Sequence, residues 1–234
     1  MKIEPAEAPA EGNLLRHPAL PYIAPFAVFL AFLSADRFLP FSTETNYAIR
    51  FVVVFALLVW LARGVTPRRL VHVLGSVALG IAVFVIWVGP DVLWPAYRQS
   101  WLFSNSLVGS PKSSLPPGTK INVTFIIFRV LASVVNVPVL EELFWRGWLM
   151  RWLIAKDFKT VPLGAYTAQS FWLVAVLFAS EHGSYWDVGL AAGIIYNWWM
   201  IRTHSLADCI LAHAVTNACL AAYVLTRDQW QYWL

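Results

Sequence analysis

The chain has 234 residues, enough for one domain of ordinary size. Hydrophobic residues make up 59% of it and charged residues only 13%, against about 25% charged residues in a typical soluble domain. With a mean hydropathy of +0.61, this composition argues against a water-soluble globular protein and favours a membrane protein. The net charge of +4 comes without a dense Lys/Arg cluster, which argues against nucleic-acid binding and fits basic loops on an anionic membrane face.

The polar segment 1–19 is predicted to be a disordered tail without a cleavable signal peptide. A transmembrane helix needs about 20 mostly apolar residues, and seven stretches qualify or come close. The predicted spans are 20–39, 47–62, 70–88, 121–140, 163–180, 188–201 and 206–225. The sequence therefore predicts an all-α fold, a polytopic membrane helix bundle with about seven to eight transmembrane helices around a polar cavity.

The longest interruption between spans is 89–120, which is rich in Pro, Gly and Ser. We predict an extramembrane loop here, with room for an interfacial helix carrying Trp94, Tyr97 and Trp101. The loop divides the chain into two parts. Residues 20–120 hold the N-terminal membrane helices and the loop, and residues 121–234 form the predicted catalytic membrane core.

Basic residues between the spans predict the orientation of the chain. They lie after the second, fourth and sixth spans, at Arg63, Arg68, Arg69, Arg146, Arg151, Lys156, Lys159, Arg202 and His204. If the spans alternate, these three regions share one side, which the positive-inside rule makes cytoplasmic. The prediction is a multi-pass integral protein of the bacterial inner (cytoplasmic) membrane with a cytoplasmic N-terminus.

The same alternation places Glu141 and His182 toward opposite membrane faces. The conflict disappears if the fourth helix continues through ELFWRGWLMRWLIA, because Glu141 then lies near its middle. The sequence leaves this depth open.

The apolar stretch VPVLEELFWRGWLMRWLI, residues 137–154, contains two carboxylates and an arginine. On a helix Glu142 and Arg146 share a face and can pair, but an exposed pair of this kind is worth only about 0.2–0.5 kcal/mol. A charge at the bilayer centre costs about 2.5–3.5 kcal/mol, so the pair does not account for Glu141. Two interpretations follow: a solvated helix end at the membrane surface, or a functional site inside the membrane.

Two further apolar segments carry polar groups. In FASEHGSYW, His182 follows Phe178 by four residues, so the Phe178 ring would lie one turn away and limit the rotation of the imidazole. In LAHAVTNAC, His213 and Asn217 are also four apart and share a face. Each has an ordinary interpretation, an interfacial histidine or a helix-packing hydrogen bond. Together the three segments favour convergence on one buried, wet cavity.

In this order, EELFWR, FASEH and HAVTN match the motifs Glu-Glu-x-x-x-Arg, Phe-x-x-x-His and His-x-x-x-Asn. The chain thereby resembles the CAAX prenyl endopeptidase and bacteriocin-processing family of intramembrane proteases, to which the eukaryotic Ras-converting enzyme belongs. The similar region is about 121–225, and the N-terminal spans carry little of the resemblance.

The resemblance implies an intramembrane endopeptidase that acts on a membrane-anchored protein or peptide within the lipid bilayer. Glu141 would be the general base, and His182 would orient and polarise the same water. His213 and Asn217 would donate hydrogen bonds to the tetrahedral oxyanion, where one donor is worth about 2.7–4 kcal/mol.

Glu142, Arg146 and Phe178 would support these groups. Glu142 and Arg146 would fix the helix and hold Glu141 in place, although Arg146 could instead bind a substrate carboxylate.

Alternatives remain open at this point. The resemblance implies no cofactor, but Glu141, His182 and His213 could also be ligands of Zn²⁺, in a metallopeptidase version of the same reaction. The same fold could serve as a non-catalytic scaffold or a bacteriocin-immunity protein. A transporter is disfavoured because the sequence has no internal repeat.

Overall fold

The computed structural model describes residues 17–113 and 115–233, and most of the predicted tail 1–19 lies outside these ranges. Seven principal helices and no β-strand are found in the described ranges. The helices are α1 (Leu20–Ala35), α2 (Thr43–Ala62), α3 (Val73–Leu93), α4 (Val123–Trp152), α5 (Ala168–Ser180), α6 (Trp186–Thr203) and α7 (Leu206–Arg227). The predicted all-α membrane helix bundle is confirmed.

Four helices, α2, α3, α4 and α7, are long and apolar enough to cross a membrane, while α1 and α5 are shorter apolar helices. The predicted number of seven to eight transmembrane helices therefore stays a prediction. Each predicted span nevertheless overlaps a helix, with ends displaced by five residues or fewer except in the fourth, where α4 continues twelve residues beyond the predicted end at Leu140.

Local capping explains where several helices begin. The side chains of Ser42, Asn122 and Ser205 accept hydrogen bonds from backbone amides in the first turns of α2, α4 and α7. Thr167 and Ser170 form a reciprocal capping box at the start of α5. Each cap satisfies an amide that the helix itself cannot satisfy, which fixes the starting residue.

Helix α4 is continuous through the segment that carries the two glutamates. It changes to π-helical geometry at Ala132–Asn136 and again at Leu143–Leu149, on either side of Glu141 and Glu142. Pro138 lies between these two segments and removes one amide donor from the helix. Short π-helical segments inside α-helices are frequent at functional sites.

The continuity of α4 removes the conflict in depth between Glu141 and His182. Glu141 lies well inside α4 rather than at its end, and His182 follows the C-terminal end of α5. Because the chain turns back between α4 and α5, the two side chains reach the same level and line one cavity.

The N-terminal helices pack directly on the helices that carry the motifs. The ring of Phe26 in α1 stacks on Phe144 in α4 with centroids 4.3 Å apart. A Cβ atom on Gly80 of α3 would lie 2.4 Å from the carbonyl oxygen of Ala212 in α7, so only glycine permits this approach. Thr216 also donates to the Gly80 carbonyl at 2.8 Å.

The segment between α3 and α4 corrects one prediction. Its described residues form no interfacial helix, only short 3₁₀ turns at Tyr97–Gln99 and Pro117–Ile121, and α3 extends five residues further than its predicted end, to Leu93. Trp94 and Trp101 are exposed. The segment is held by Arg98, whose guanidinium pairs with Asp91 at 2.8 Å and with Asp187 at 2.9 Å.

Three of the basic residues used to predict orientation lie within helices, and one of them, Arg202 in the last turn of α6, is exposed. Arg146 and Arg151 belong to α4 and are 0% and 8% exposed, so they are internal groups. Lys156 and Lys159 remain exposed in the connection that follows. The cytoplasmic orientation of these loops stays a prediction.

Candidate functional site

A single cavity of about 360 Å³ brings together the four residues that the motifs singled out. Its lining includes Glu141 from α4, His182 from the turn after α5, and His213 and Asn217 from α7. Phe178 lines it as well, whereas Glu142 and Arg146 lie behind the lining.

Glu141 has an oxygen without a protein partner. Its side chain is 8% exposed, and Oε2 is buried with no hydrogen bond to any other described residue. Buried carboxylate oxygens are normally hydrogen-bonded, so Glu141 lines the cavity with a carboxylate whose hydrogen-bonding capacity is not used up by the protein.

Glu142 and Arg146 form the pair that their spacing predicted. Both are 0% exposed, and Arg146 Nη1 lies 3.0 Å from Glu142 Oε1. Arg146 Nε also donates to Asn197 Oδ1 at 2.9 Å, and Nη2 donates to the Gly193 carbonyl at 3.2 Å. Because this guanidinium is enclosed and bonded on three nitrogens, it is not placed to bind a substrate carboxylate.

His213 shares the carboxylate of Glu142 with Arg146. Its Nδ1 donates to Glu142 Oε1 at 2.9 Å, and its ring stacks on Tyr196 with centroids 5.2 Å apart. The Tyr196 hydroxyl in turn donates to Thr216 at 2.7 Å. The spacing of residues did not reveal the contact between Glu142 and His213, because it joins two helices that are far apart in sequence.

His182 is fixed in one ring orientation and one tautomer. Its Nδ1 lies 2.7 Å from the Phe178 carbonyl, which can only accept, so Nδ1 carries the proton. The rings of Phe178 and Trp87 lie 4.7 and 5.1 Å from the imidazole. Burial lowers the pKa of His182 to about 4, so the ring is neutral at neutral pH and Nε2 is an acceptor.

Asn217 links α7 to α4 and still has a donor to spare. Its Nδ2 donates to the Ser133 carbonyl at 2.7 Å. The second amide hydrogen has no partner among residues 17–113 and 115–233. Asn136, by contrast, has a purely packing role on α4, where it donates to the Phe51 carbonyl at 3.0 Å.

Glu181 is a cavity residue that the sequence did not single out. It lies at the exposed mouth of the cavity beside His182. Partial desolvation there raises the pKa of Glu181 to about 7. Its position inside the second motif, directly before His182, was the only signal in the sequence, and the same signal fits an ordinary solvated glutamate.

No group of three or more His, Cys, Asp or Glu side chains is arranged to hold a metal ion within the described ranges. The set Glu141, His182 and His213 shares a cavity but does not form a ligand cluster.

Comparison with known proteins bears on the segment that carries this site. Residues 123–219 match the family described as type II CAAX prenyl endopeptidase, Rce1-like. The match begins at α4, ends within α7 and includes all three motifs. No curated protein and no solved structure matches the chain. The description of the family implies a CAAX-type intramembrane endopeptidase activity. The resemblance carried by the three motifs is thereby confirmed, since the segment 123–219 matches the Rce1-like family.

Proposed function

We propose that the chain hydrolyses a peptide bond of a membrane-anchored protein or peptide by a glutamate-activated water. The observation that carries this proposal is the shared cavity. Glu141, His182, His213 and Asn217 come from three helical segments of the family-matching region and line one space enclosed by apolar helices.

In the first step Glu141 is the general base. A water oxygen attacks the scissile carbonyl carbon, and the carboxylate of Glu141, which lines the cavity, takes one of the water protons. His182 orients the same water by accepting its second hydrogen at Nε2, because Nδ1 is held by the Phe178 carbonyl. The protonated Glu141 then delivers its proton to the departing amine, so that the base is regenerated.

The tetrahedral oxyanion receives hydrogen bonds from α7. Asn217 supplies the amide hydrogen that Ser133 does not occupy. His213 supplies Nε2–H when its ring carries both protons, with Nδ1–H directed at Glu142. Each donor in such a site contributes about 2.7–4 kcal/mol to the stability of the transition state.

Glu142 and Arg146 act through other residues. Glu142 holds the His213 ring by its Nδ1, and Arg146 holds Glu142 while it ties α4 to α6 through Asn197 and Gly193. The pair thereby fixes the distance between the helices that carry the general base and the oxyanion donors.

We infer that this chemistry needs no metal ion. Glu141 and the two imidazoles have complete roles as proton acceptor, water ligand and oxyanion donor. The test is peptidase activity and metal content after treatment with a strong chelator. Full activity in metal-depleted protein supports the inference, whereas loss that zinc restores contradicts it.

We propose a substrate that reaches the cavity from the lipid bilayer, because the helices around the cavity are apolar. The bacterial inner membrane and a cytoplasmic N-terminus remain part of this proposal. We propose no nucleic-acid partner.

Comparative proteomics of membranes tests the function and identifies the substrate. Membranes that contain the wild-type chain should show new N-termini that are absent with Glu141→Gln. Glu181→Gln is the matched control, since it makes the same chemical change in the same cavity and should leave the new N-termini present. Identical N-termini with wild type and Glu141→Gln, at equal expression, would favour a non-catalytic scaffold.

A further inference from the structure

Arg129 of α4 lines the cavity without an ionic partner. Its Nε is buried and makes no hydrogen bond, and no carboxylate of the described residues forms an ion pair with it. Its recorded contacts are the rings of Tyr47 and Trp233, both 5.5 Å from the guanidinium carbon. Arginine remains charged at every accessible pH, so an unpaired guanidinium among apolar helices calls for an anionic ligand.

A second arginine increases the positive charge at this end of the cavity. Arg50 of α2 is 4% exposed, its Nε is also buried without a partner, and its guanidinium lies 4.0 Å from the Tyr47 ring. Asp36, at the end of α1, accepts a hydrogen bond from Asn46 and pairs with neither arginine. Nothing among the described carboxylates neutralises the two guanidinium groups.

The spacing on α4 relates Arg129 to the proposed general base. Arg129, Ser133, Val137 and Glu141 all line the cavity at intervals of four residues, so they form one face of the helix. The twelve-residue separation corresponds to about 18 Å along a helix, about the length of five to six residues of extended peptide.

Acidic and basic side chains therefore lie at opposite ends of the cavity. Glu141 supplies a carboxylate at one end, and Arg129 is the only Lys or Arg of its described lining. A substrate with an anionic group would be repelled at the first end and attracted at the second, which sets its direction in the cavity.

We propose that Arg129 binds a carboxylate of the substrate, located within about five to six residues of the bond that is cleaved. A planar guanidinium matches a carboxylate through two parallel hydrogen bonds, so the contact selects substrates as well as holding them. The identification of this ligand as a substrate rests on the proposed function, whereas the contact between Arg129 and a carboxylate does not.

A phospholipid phosphate offers similar chemistry from another source. Binding is therefore measured in the Glu141→Gln background, where hydrolysis is not required, on full-length protein in phosphatidylcholine vesicles. The probe is a fluorescent hydrophobic peptide made in two versions, one with a free C-terminal carboxylate and one with a C-terminal carboxamide.

The carboxylate peptide should bind about tenfold or more tightly than the carboxamide, the factor expected of hydrogen bonds to a charged group. Arg129→Gln should abolish this preference, and Arg129→Lys, which keeps the charge but not the planar fork, should show an intermediate one. Arg63→Gln, an exposed arginine that does not line the cavity, should retain the full preference.

Equal binding of the two peptides, or a preference that survives Arg129→Gln, would overturn the proposal.

Phosphatidylglycerol is then added to the vesicles. If it removes the preference and is retained by the protein in an Arg129-dependent way, the ligand is a lipid and the proposal is also overturned. If the preference depends on Arg129 but wild type cleaves no peptide, the anion site stands and the proposed hydrolysis fails.

Discussion

Two arginines of this chain have almost the same contacts but lie in very different surroundings. Arg146 binds a carboxylate, an amide oxygen and a backbone carbonyl, and its guanidinium lies 4.7 Å from the Phe178 ring. Arg98 binds two carboxylates and the Ser184 carbonyl, and its guanidinium lies 4.1 Å from the Tyr185 ring. The first is enclosed within the helices, and the second fastens a segment outside the candidate spans.

The difference shows that similar contacts have different roles in a buried cluster and in a partly solvated one. The Arg146 cluster is buried and adjoins the cavity. Burying its charges costs desolvation free energy, which is offset if the cluster positions Glu142 and His213 for the reaction. The partners of Arg98 retain 18% and 15% exposure, so water shares in solvating that cluster. We expect the first cluster to control catalysis and stability together, and the second to control stability alone.

The strongest test of this comparison is Arg146→Gln. It leaves Glu142 buried with only His213 as a partner, and removal of one member of a buried ion pair typically costs about 3–5 kcal/mol. We expect a large decrease in the thermal midpoint of the detergent-solubilised protein. At temperatures where the variant is still folded, kcat should fall, because Glu142 is no longer fixed by Arg146 and holds the His213 ring less rigidly. Wild-type kcat in the folded variant would show that the cluster is structural only.

The corresponding change in the other cluster, Arg98→Gln, should have a smaller effect. Hydrogen bonds to charged groups contribute about 1.5–3 kcal/mol, and partial solvation of Asp91 and Asp187 reduces the loss. The thermal midpoint should decrease while kcat per folded molecule stays unchanged. A specific loss of kcat would mean that the segment after α3 takes part in the reaction.

The protonation of His182 provides a test that needs no change in packing. Its folded pKa of about 4 lies below the ordinary value of 6.5, so the unfolded chain binds more protons between these two pH values. The contribution of His182 to stability is therefore complete above pH 6.5 and is lost as the pH falls toward 4. Peptidase activity should decline as the pH falls through about 4, because a protonated Nε2 cannot accept from water.

Unfolding measured as a function of pH identifies this contribution. The loss of stability between pH 6.5 and 4 should be smaller in His182→Gln than in wild type. Equal losses in the two proteins would assign the effect to other groups.

The smallest expected effect belongs to Glu181→Gln. An exposed charge of this kind contributes about 0–1 kcal/mol, so kcat should change by about fivefold or less. Any step near pH 7 in the wild-type pH profile should disappear in the variant, since the pKa of Glu181 is about 7. A much larger loss of kcat would make Glu181 part of the catalytic machinery.

The sequence predicted contacts that are local and missed those that are not. Each predicted span overlaps a helix, because a long apolar segment in lipid can satisfy its own backbone hydrogen bonds only as a helix. The pairing of Glu142 with Arg146 and the contact of Phe178 with His182 followed from a spacing of four residues. Convergence of the three motifs on one cavity was also expected, and the side chains do share one.

The rest depends on how helices pack, which spacing does not encode. The contact between Glu142 and His213 joins residues 71 positions apart. The contact between Arg98 and Asp187 joins residues 89 positions apart, so the sequence did not predict what fixes the segment after α3. Arg129 was overlooked because its lack of an ionic partner among the described residues becomes visible only when the neighbouring helices are in place.

The most direct test of the central claim is the cleavage rate of Glu141→Gln under single-turnover conditions, with a peptide identified from the membrane comparison. Loss of a general base should reduce the rate by about a hundredfold to ten-thousandfold, while peptide affinity and the thermal midpoint stay close to wild type. Cleavage at the wild-type rate by a folded Glu141→Gln protein would contradict the account.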